Sequence, residues 1–168
     1  NEIRNRILKY EWLFNIIHFI YTPFRILKEY FARRNMTNEL IEKYYYLEKN
    51  DRKIFYFGVP EHNNLGDMAQ TYCIRKWITD NYPNYQIIEI RTRISYDKKF
   101  VKFIKNILCS DDFFLFQSGY CTRDKNPDHL MHLNIMAQFP YQKAIILPQT
   151  VKIQSKKDIQ KTKRIFGH

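Results

Sequence analysis

The chain has 168 residues, 45% hydrophobic and 27% charged, with 28 Lys and Arg against 17 Asp and Glu and a net charge of +11. That balance fits one globular domain or slightly more and excludes a low-complexity protein. The charge favours anionic partners such as phosphorylated small molecules or acidic lipid; no nucleic acid is expected, because the basic residues are scattered and no nucleic-acid-binding signature appears.

Cys73, Cys109 and Cys121 have no CxxC spacing and read as reduced thiols of a cytoplasmic protein. No metal site is expected, since the histidines lack a Cys or carboxylate at zinc-site spacing. No stretch reaches the ~20 apolar residues of a membrane span, and no small-residue cleavage site marks a secretory leader. The chain opens on Asn1 rather than Met and ends without a closing signal. It therefore reads as an incomplete part of a longer protein.

Residues 1–50 read as a helical N-terminal segment. Ile3, Ile7, Tyr10, Phe14, Ile17 and Tyr21 recur at alternating spacings of four and three, a helical stripe. Pro23 is expected to break that helix. A second short helix is expected over about 24–34, and a third over about 38–49 with Thr37 as N-cap. Two readings of residues 1–34 stand side by side: an arm packed on the following domain or a partner, or a helix pair on a membrane surface with its basic residues toward acidic head groups.

From residue 53 the pattern changes to alternating strands and helices. Strands are expected at about 53–59, 86–91, 112–117 and 143–147. Helices are expected after Asp67, then over about 97–108, 127–138 and 155–164, with Pro127 in a first turn and Ser155 as a cap. His129 and His132 read as a partly exposed helix face rather than a ligand pair. Short apolar strands between helices imply a parallel sheet covered on both faces. The fold class is therefore α/β, a doubly wound, Rossmann-like sheet preceded by the helical segment, with strand order 3-2-1-4.

Ligands bind such sheets at the carboxyl ends of the strands. The residues there are Asn63 to Asp67, Arg91 to Arg93, Gln117 to Arg123, and Pro148 to Thr150. Gly66 permits close backbone approach. Asp67 sits where a helix start gathers ligand groups, or is only a cap.

Three of these strand ends together resemble the polysaccharide pyruvyl transferase family. They are Asn64-Leu65-Gly66-Asp67-Met68-Ala69 after its apolar strand, Phe113 to Gly119, and Ile145-Ile146-Leu147-Pro148-Gln149-Thr150. The resemblance covers about 53–168. It implies the N-terminal half of a two-domain, GT-B-like bacterial enzyme of exopolysaccharide biosynthesis. Such an enzyme transfers a pyruvyl group from phosphoenolpyruvate to sugar hydroxyls as a ketal. It needs no cofactor beyond that donor, and its acceptor is a sugar or lipid-linked saccharide. Its place is the cytoplasm, or the inner face of the cytoplasmic membrane if residues 1–34 make a peripheral contact.

Ketal formation needs an acid and a base, and both substrates are anionic. Asp67 and His62 are the candidate catalytic residues. Asn63, Asn64, Gly66, Arg91, Arg93, Ser118, Gly119, Arg123 and Gln149 are the candidate substrate-binding residues. On the residues alone His62 reads more readily as an exposed loop histidine with no chemistry, and Gln149 either hydrogen-bonds a ligand or merely holds its turn. The alternatives in function are a GT-B glycosyltransferase using a nucleotide sugar, or a truncated, non-catalytic domain that binds a membrane surface or a partner.

Overall fold

The computed structural model describes residues 2–61 and 64–167. In chain order these form α1 (Glu2–Tyr44), β1 (Lys53–Phe57), α2 (Leu65–Asn81), β2 (Gln86–Ile90), a 3-10 turn (Thr92–Tyr96), α3 (Lys98–Ile107), β3 (Phe113–Phe116), α4 (Pro127–Gln138), β4 (Ala144–Ile146) and α5 (Lys156–Phe166). The strands make one four-stranded sheet. Every pairing is parallel: Lys53 to Phe57 with Gln86 to Ile90, Ile54 to Phe57 with Phe113 to Phe116, and Phe114 to Phe116 with Ala144 to Ile146.

The strand order is β2-β1-β3-β4, not the expected 3-2-1-4. The reason lies in composition. All residues of β1 and β3 are buried, which suits strands with a neighbour on each side and helices on both faces. β2 carries the exposed Gln86 and the half-buried Glu89, which an edge position tolerates.

Alternation along the strands divides the core. Phe55, Phe57, Ile88, Ile90, Phe114 and Phe116 point to one face, where they pack with Phe100, Ile104, Met131 and Ile135 of α3 and α4. Ile54, Tyr56, Phe113 and Leu115 point to the other face, against Ile74 and Ile78 of α2. Helices on opposite faces are what right-handed crossovers require when the chain runs from β1 to β2 and then turns back to β3.

The helical front end differs from expectation. Pro23 does not end the first helix; α1 continues through it to Tyr44. The Thr22 hydroxyl donates to the His18 carbonyl at 2.5 Å, a back-bond that bends helices and makes room for a proline ring. Thr37 is not an N-cap but a buried residue inside α1. The neighbouring Leu40 and Tyr44 bury themselves beside Phe55 and Ile88, and this packing overrides the local capping signal.

α4 lies between the sheet and α5, so its histidines are not a partly exposed face. Both are about 2% exposed. His129 Nε2 lies 3.1 Å from Thr162 Oγ1, and the His132 ring lies tilted against Phe116 at 4.6 Å between ring centroids. Burial, with its neighbour His129 adding to it, lowers the pKa of His132 to about 3; burial lowers His129 too. Both rings are neutral near pH 7. No helix among the described residues is long and apolar enough to cross a membrane.

Candidate functional site

In a sheet of order 2-1-3-4 the connections leaving β1 and β3 diverge to opposite faces, and a crevice opens between their carboxyl ends. A cleft of about 500 Å³ occupies that position. Its walls come from Gly58 to Glu61 after β1, Thr92 and Arg93 after β2, and Gln117 to Cys121 with Arg123 after β3; Asp67 from the first turn of α2 and Asp128 from the first turn of α4 close it. Two helix N-termini thus face one space, each with its partial positive charge.

Asp67 is not the cap of α2. Asn64 is: its Oδ1 accepts from the Gly66 amide at 3.1 Å. Its Nδ2 donates to Asp67 Oδ2 at 3.1 Å, so the cap also orients the carboxylate. Asp67 is half-buried and lines the cleft. Gly66 lies in ordinary helix; a β-carbon there would sit 3.7 Å from Asn64 Oδ1, a normal contact. The demand for glycine falls elsewhere. Gly58 has φ +83°, and a β-carbon would meet the Gln117 β-carbon at 3.1 Å. Gly119 has φ +132°. A side chain at either position is strained, so the two central strand exits both depend on glycine.

The cations are held differently. Arg93 Nε lies 3.4 Å from Glu61 Oε2, an ion pair spanning the exits of β1 and β2. The Arg123 guanidinium lies over the Tyr120 ring at 4.8 Å. Thr92 Oγ1 donates to Asp128 Oδ1 at 2.5 Å, and Tyr96 OH donates to the Pro127 carbonyl at 2.9 Å. These bonds tie the turn after β2 to the start of α4, which Asn126 caps by accepting from the amides of Asp128 and His129.

Gln117 is buried at the floor. Its Oε1 accepts from Tyr56 OH, its carbonyl accepts from Gln149 Nε2, and its own Nε2 has no partner among the described residues. The Cys121 thiol lines the same cleft. Burial first, then the negative charge of Asp128 with that of Asp67 behind it, pushes the thiol up to about 11. A thiol held there is almost wholly protonated near pH 7.

The candidates read from sequence therefore divide. Asp67, Arg93, Ser118, Gly119 and Arg123 line the cleft. Asn64 acts behind Asp67. Gln149 lies behind the floor: Gly119 and Gln149 form a bridge, with Gly119 N to Pro148 O at 3.1 Å and Thr150 N to Gly119 O at 3.0 Å. Arg91 is exposed and absent from the lining; it precedes the 3-10 turn that carries Arg93 inward. His62 and Asn63 lie outside the described residues. Sequence reading placed Thr92 and Gln117 at the strand ends without giving them a role, and missed Glu61 and Asp128. Asp128 had a signal, since it follows the Asn126-Pro127 helix start. Among the described residues no group of three His, Cys, Asp or Glu is disposed to hold a metal.

A parallel sheet with a charged cleft at its switch point defines the class, a doubly wound α/β domain. Comparison with known proteins then narrows it. The family model of the polysaccharide pyruvyl transferases matches residues 64–168, from the Asn64 cap onward, and the chain belongs to that family. It is also similar to General stress protein 30 of Bacillus subtilis (strain 168), 29% identical over 124 residues. That alignment covers 70% of this chain and 34% of the relative, so the chain spans about a third of that protein's length.

Proposed function

We propose that the protein takes part in pyruvyl transfer from phosphoenolpyruvate to a sugar hydroxyl, with the switch-point cleft as a substrate site. In the overall reaction, one sugar hydroxyl oxygen bonds to C2 of the enol phosphate and the methylene carbon takes up a proton to become methyl. A second hydroxyl of the same sugar then displaces phosphate from that carbon, leaving a ketal. Two hydroxyl protons leave, one carbon gains a proton, and inorganic phosphate departs. The work for a protein is to place anions, remove hydroxyl protons and supply the proton to carbon.

The single observation that carries this reading is the company Asp67 keeps. It stands in one cleft with Arg93, Arg123 and the N-termini of α2 and α4, inside the family match. Arg93 and Arg123 are proposed to hold phosphate and carboxylate. Asp67, oriented by Asn64, is proposed to accept a sugar hydroxyl's proton. Gln117 Nε2 offers a buried donor to a ligand oxygen. His62 remains a proposed acid by its place in the sequence, and the domain division at about residue 50 a proposed boundary. The proposed setting is bacterial cell-surface polysaccharide synthesis on the cytoplasmic side.

The test is titration of phosphoenolpyruvate into the protein, read by calorimetry. It is paired with phosphate release in the presence of a panel of sugar acceptors. Saturable binding that inorganic phosphate displaces, and acceptor-dependent release, are expected. Absence of phosphoenolpyruvate binding together with binding of a nucleotide sugar would transfer the cleft to glycosyl transfer.

A further inference from the structure

The cleft leaves the other end of the molecule unused. Among the described side chains of α1, the buried ones, Thr37, Leu40 and Tyr44, all lie in its C-terminal part. Among the side chains described between residues 10 and 31, the large apolar ones face solvent: Phe19 is 81% exposed, Phe24 68%, Trp12 63% and Leu27 53%. Large apolar side chains exposed together along one helix mark an interaction surface rather than the scattered single residues that need no explanation.

The angular order of these residues says what kind of surface it is. Winding the helix at ~100° per residue, the apolar positions from Ile26 round through Trp12, Ile16, Leu27 and Phe31 to Tyr21 sweep an arc of ~220°. Among the residues whose side chains are described, the remaining strip is polar: Asn15, His18, Thr22, Arg25, Glu29 and Arg33. Charge within it is ordered. Arg25 and Arg33 lie at its two sides, Lys28 lies at the apolar boundary, and Glu29 falls between the arginines. Arg34 follows at the end of the apolar stretch.

A protein face packed on one side of a helix covers roughly 100° of its circumference. An arc twice as wide needs an occupant that wraps it. Lipid does so, and the remaining features match lipid chemistry. Trp and Tyr are at home at the boundary between hydrocarbon and head group. Cations flanking an apolar face reach head-group phosphates while their stems cover the arc. The chain's net charge of +11 adds a general attraction to an acidic surface.

We propose that residues 10–31 of α1 lie in the interfacial plane of an acidic phospholipid bilayer, apolar arc down and polar strip up, holding the α/β domain at the membrane surface. This rests on α1 alone and stands apart from the chemistry of the cleft.

The chain has two tryptophans, so Trp77→Phe leaves Trp12 as a single reporter within the arc. With that variant of the full chain, phosphatidylglycerol–phosphatidylcholine vesicles should shift Trp12 emission to the blue and co-sediment the protein. Pure phosphatidylcholine vesicles should bind roughly tenfold more weakly, and ~1 M salt should weaken acidic-vesicle binding in the same way. Phe19→Asp with Leu27→Asp should cut binding at least about tenfold. Both positions are exposed, so the thermal midpoint should not move. Three outcomes overturn the proposal: no response of Trp12 to acidic vesicles; binding untouched by the double substitution; or a blue shift that follows protein concentration without lipid, together with a dimer on sizing, which gives the face to a second copy of the chain.

Discussion

The same two strands, β1 and β3, carry charge at both ends, and the two ends have opposite characters. At the amino end, Lys53 and Asp112 are wholly buried, with Nζ 3.4 Å from Oδ2. Every group there is used. Asp112 accepts from the Lys53 amide at 2.7 Å and the Cys109 amide at 2.9 Å, and Lys53 Nζ donates to the carbonyls of Glu48 at 2.8 Å and of Asp51. At the carboxyl end, Asp67 and Arg123, with Arg93 reaching in from the exit of β2, are partly or largely open to solvent, and Gln117 Nε2 has no partner among the described residues. A closed set of charges holds strands together; an open set has valence left for a ligand.

That contrast can be broken by substitution, and the largest effect belongs to the amino end. Asp112→Ala strands a buried ammonium and frees two amides, so it should cost about 3–5 kcal/mol. Lys53→Met with Asp112→Asn should cost less, because Asn still accepts from an amide and no net charge remains buried. Urea unfolding of the two variants measures the difference. Equal losses would mean the ion pair itself matters little.

At the carboxyl end the expected losses are in binding. Arg93→Ala and Arg123→Ala should each weaken phosphoenolpyruvate binding by roughly tenfold, the scale of one charge-assisted hydrogen bond. Calorimetry on each variant checks this, and unchanged affinity for both would dissociate the cleft from the anion. Their stability should barely change, since both side chains sit at the surface.

The buried histidines sharpen the comparison with a third kind of site, neutral by burial. His132 has a folded pKa near 3 against an ordinary value of 6.5. Below about pH 6.5 the unfolded chain takes up a proton that the native ring refuses. Stability should therefore fall as pH falls from about 6.5 toward 3, with a slope approaching ~1.4 kcal/mol per pH unit for this ring. His129 adds in the same direction. His132→Leu should remove its share of the slope, read from urea midpoints at pH 7.5 and 5.5. The smallest effect belongs to the exposed pair Arg75–Glu89, bidentate at 2.6 and 2.8 Å. Glu89→Gln should cost ~0.2–1 kcal/mol and be masked by salt.

Much of the fold was legible because apolar runs and caps are local. The strands and the starts of α4 and α5 followed from Asn126-Pro127 and Ser155 within a residue or two. The strand order was harder, since pairing is a long-range choice; the polar Gln86 and Glu89 were the clue that β2 lies at an edge. Pro23 misled because its local penalty does not end the helix, which runs on past the back-bonded Thr22. In the site, Asp67, Arg93 and Arg123 could be placed by topology alone. Arg91 and Arg93 could not be told apart, because a 3-10 turn decides which faces inward. Lys53 and Asp112, 59 residues apart, gave no sign of each other in the sequence.

The central claim is that the carboxyl end works on a substrate while the amino end only holds the sheet. The most direct test is pyruvyl transfer from phosphoenolpyruvate by wild type and Asp67→Asn, with thermal melting in parallel. Asn keeps the shape and the contact to Asn64 but loses the charge and the basicity. The account predicts a loss of roughly 10²-fold or more in rate with an unchanged melting temperature. Full activity in Asp67→Asn, at unchanged stability, would contradict it.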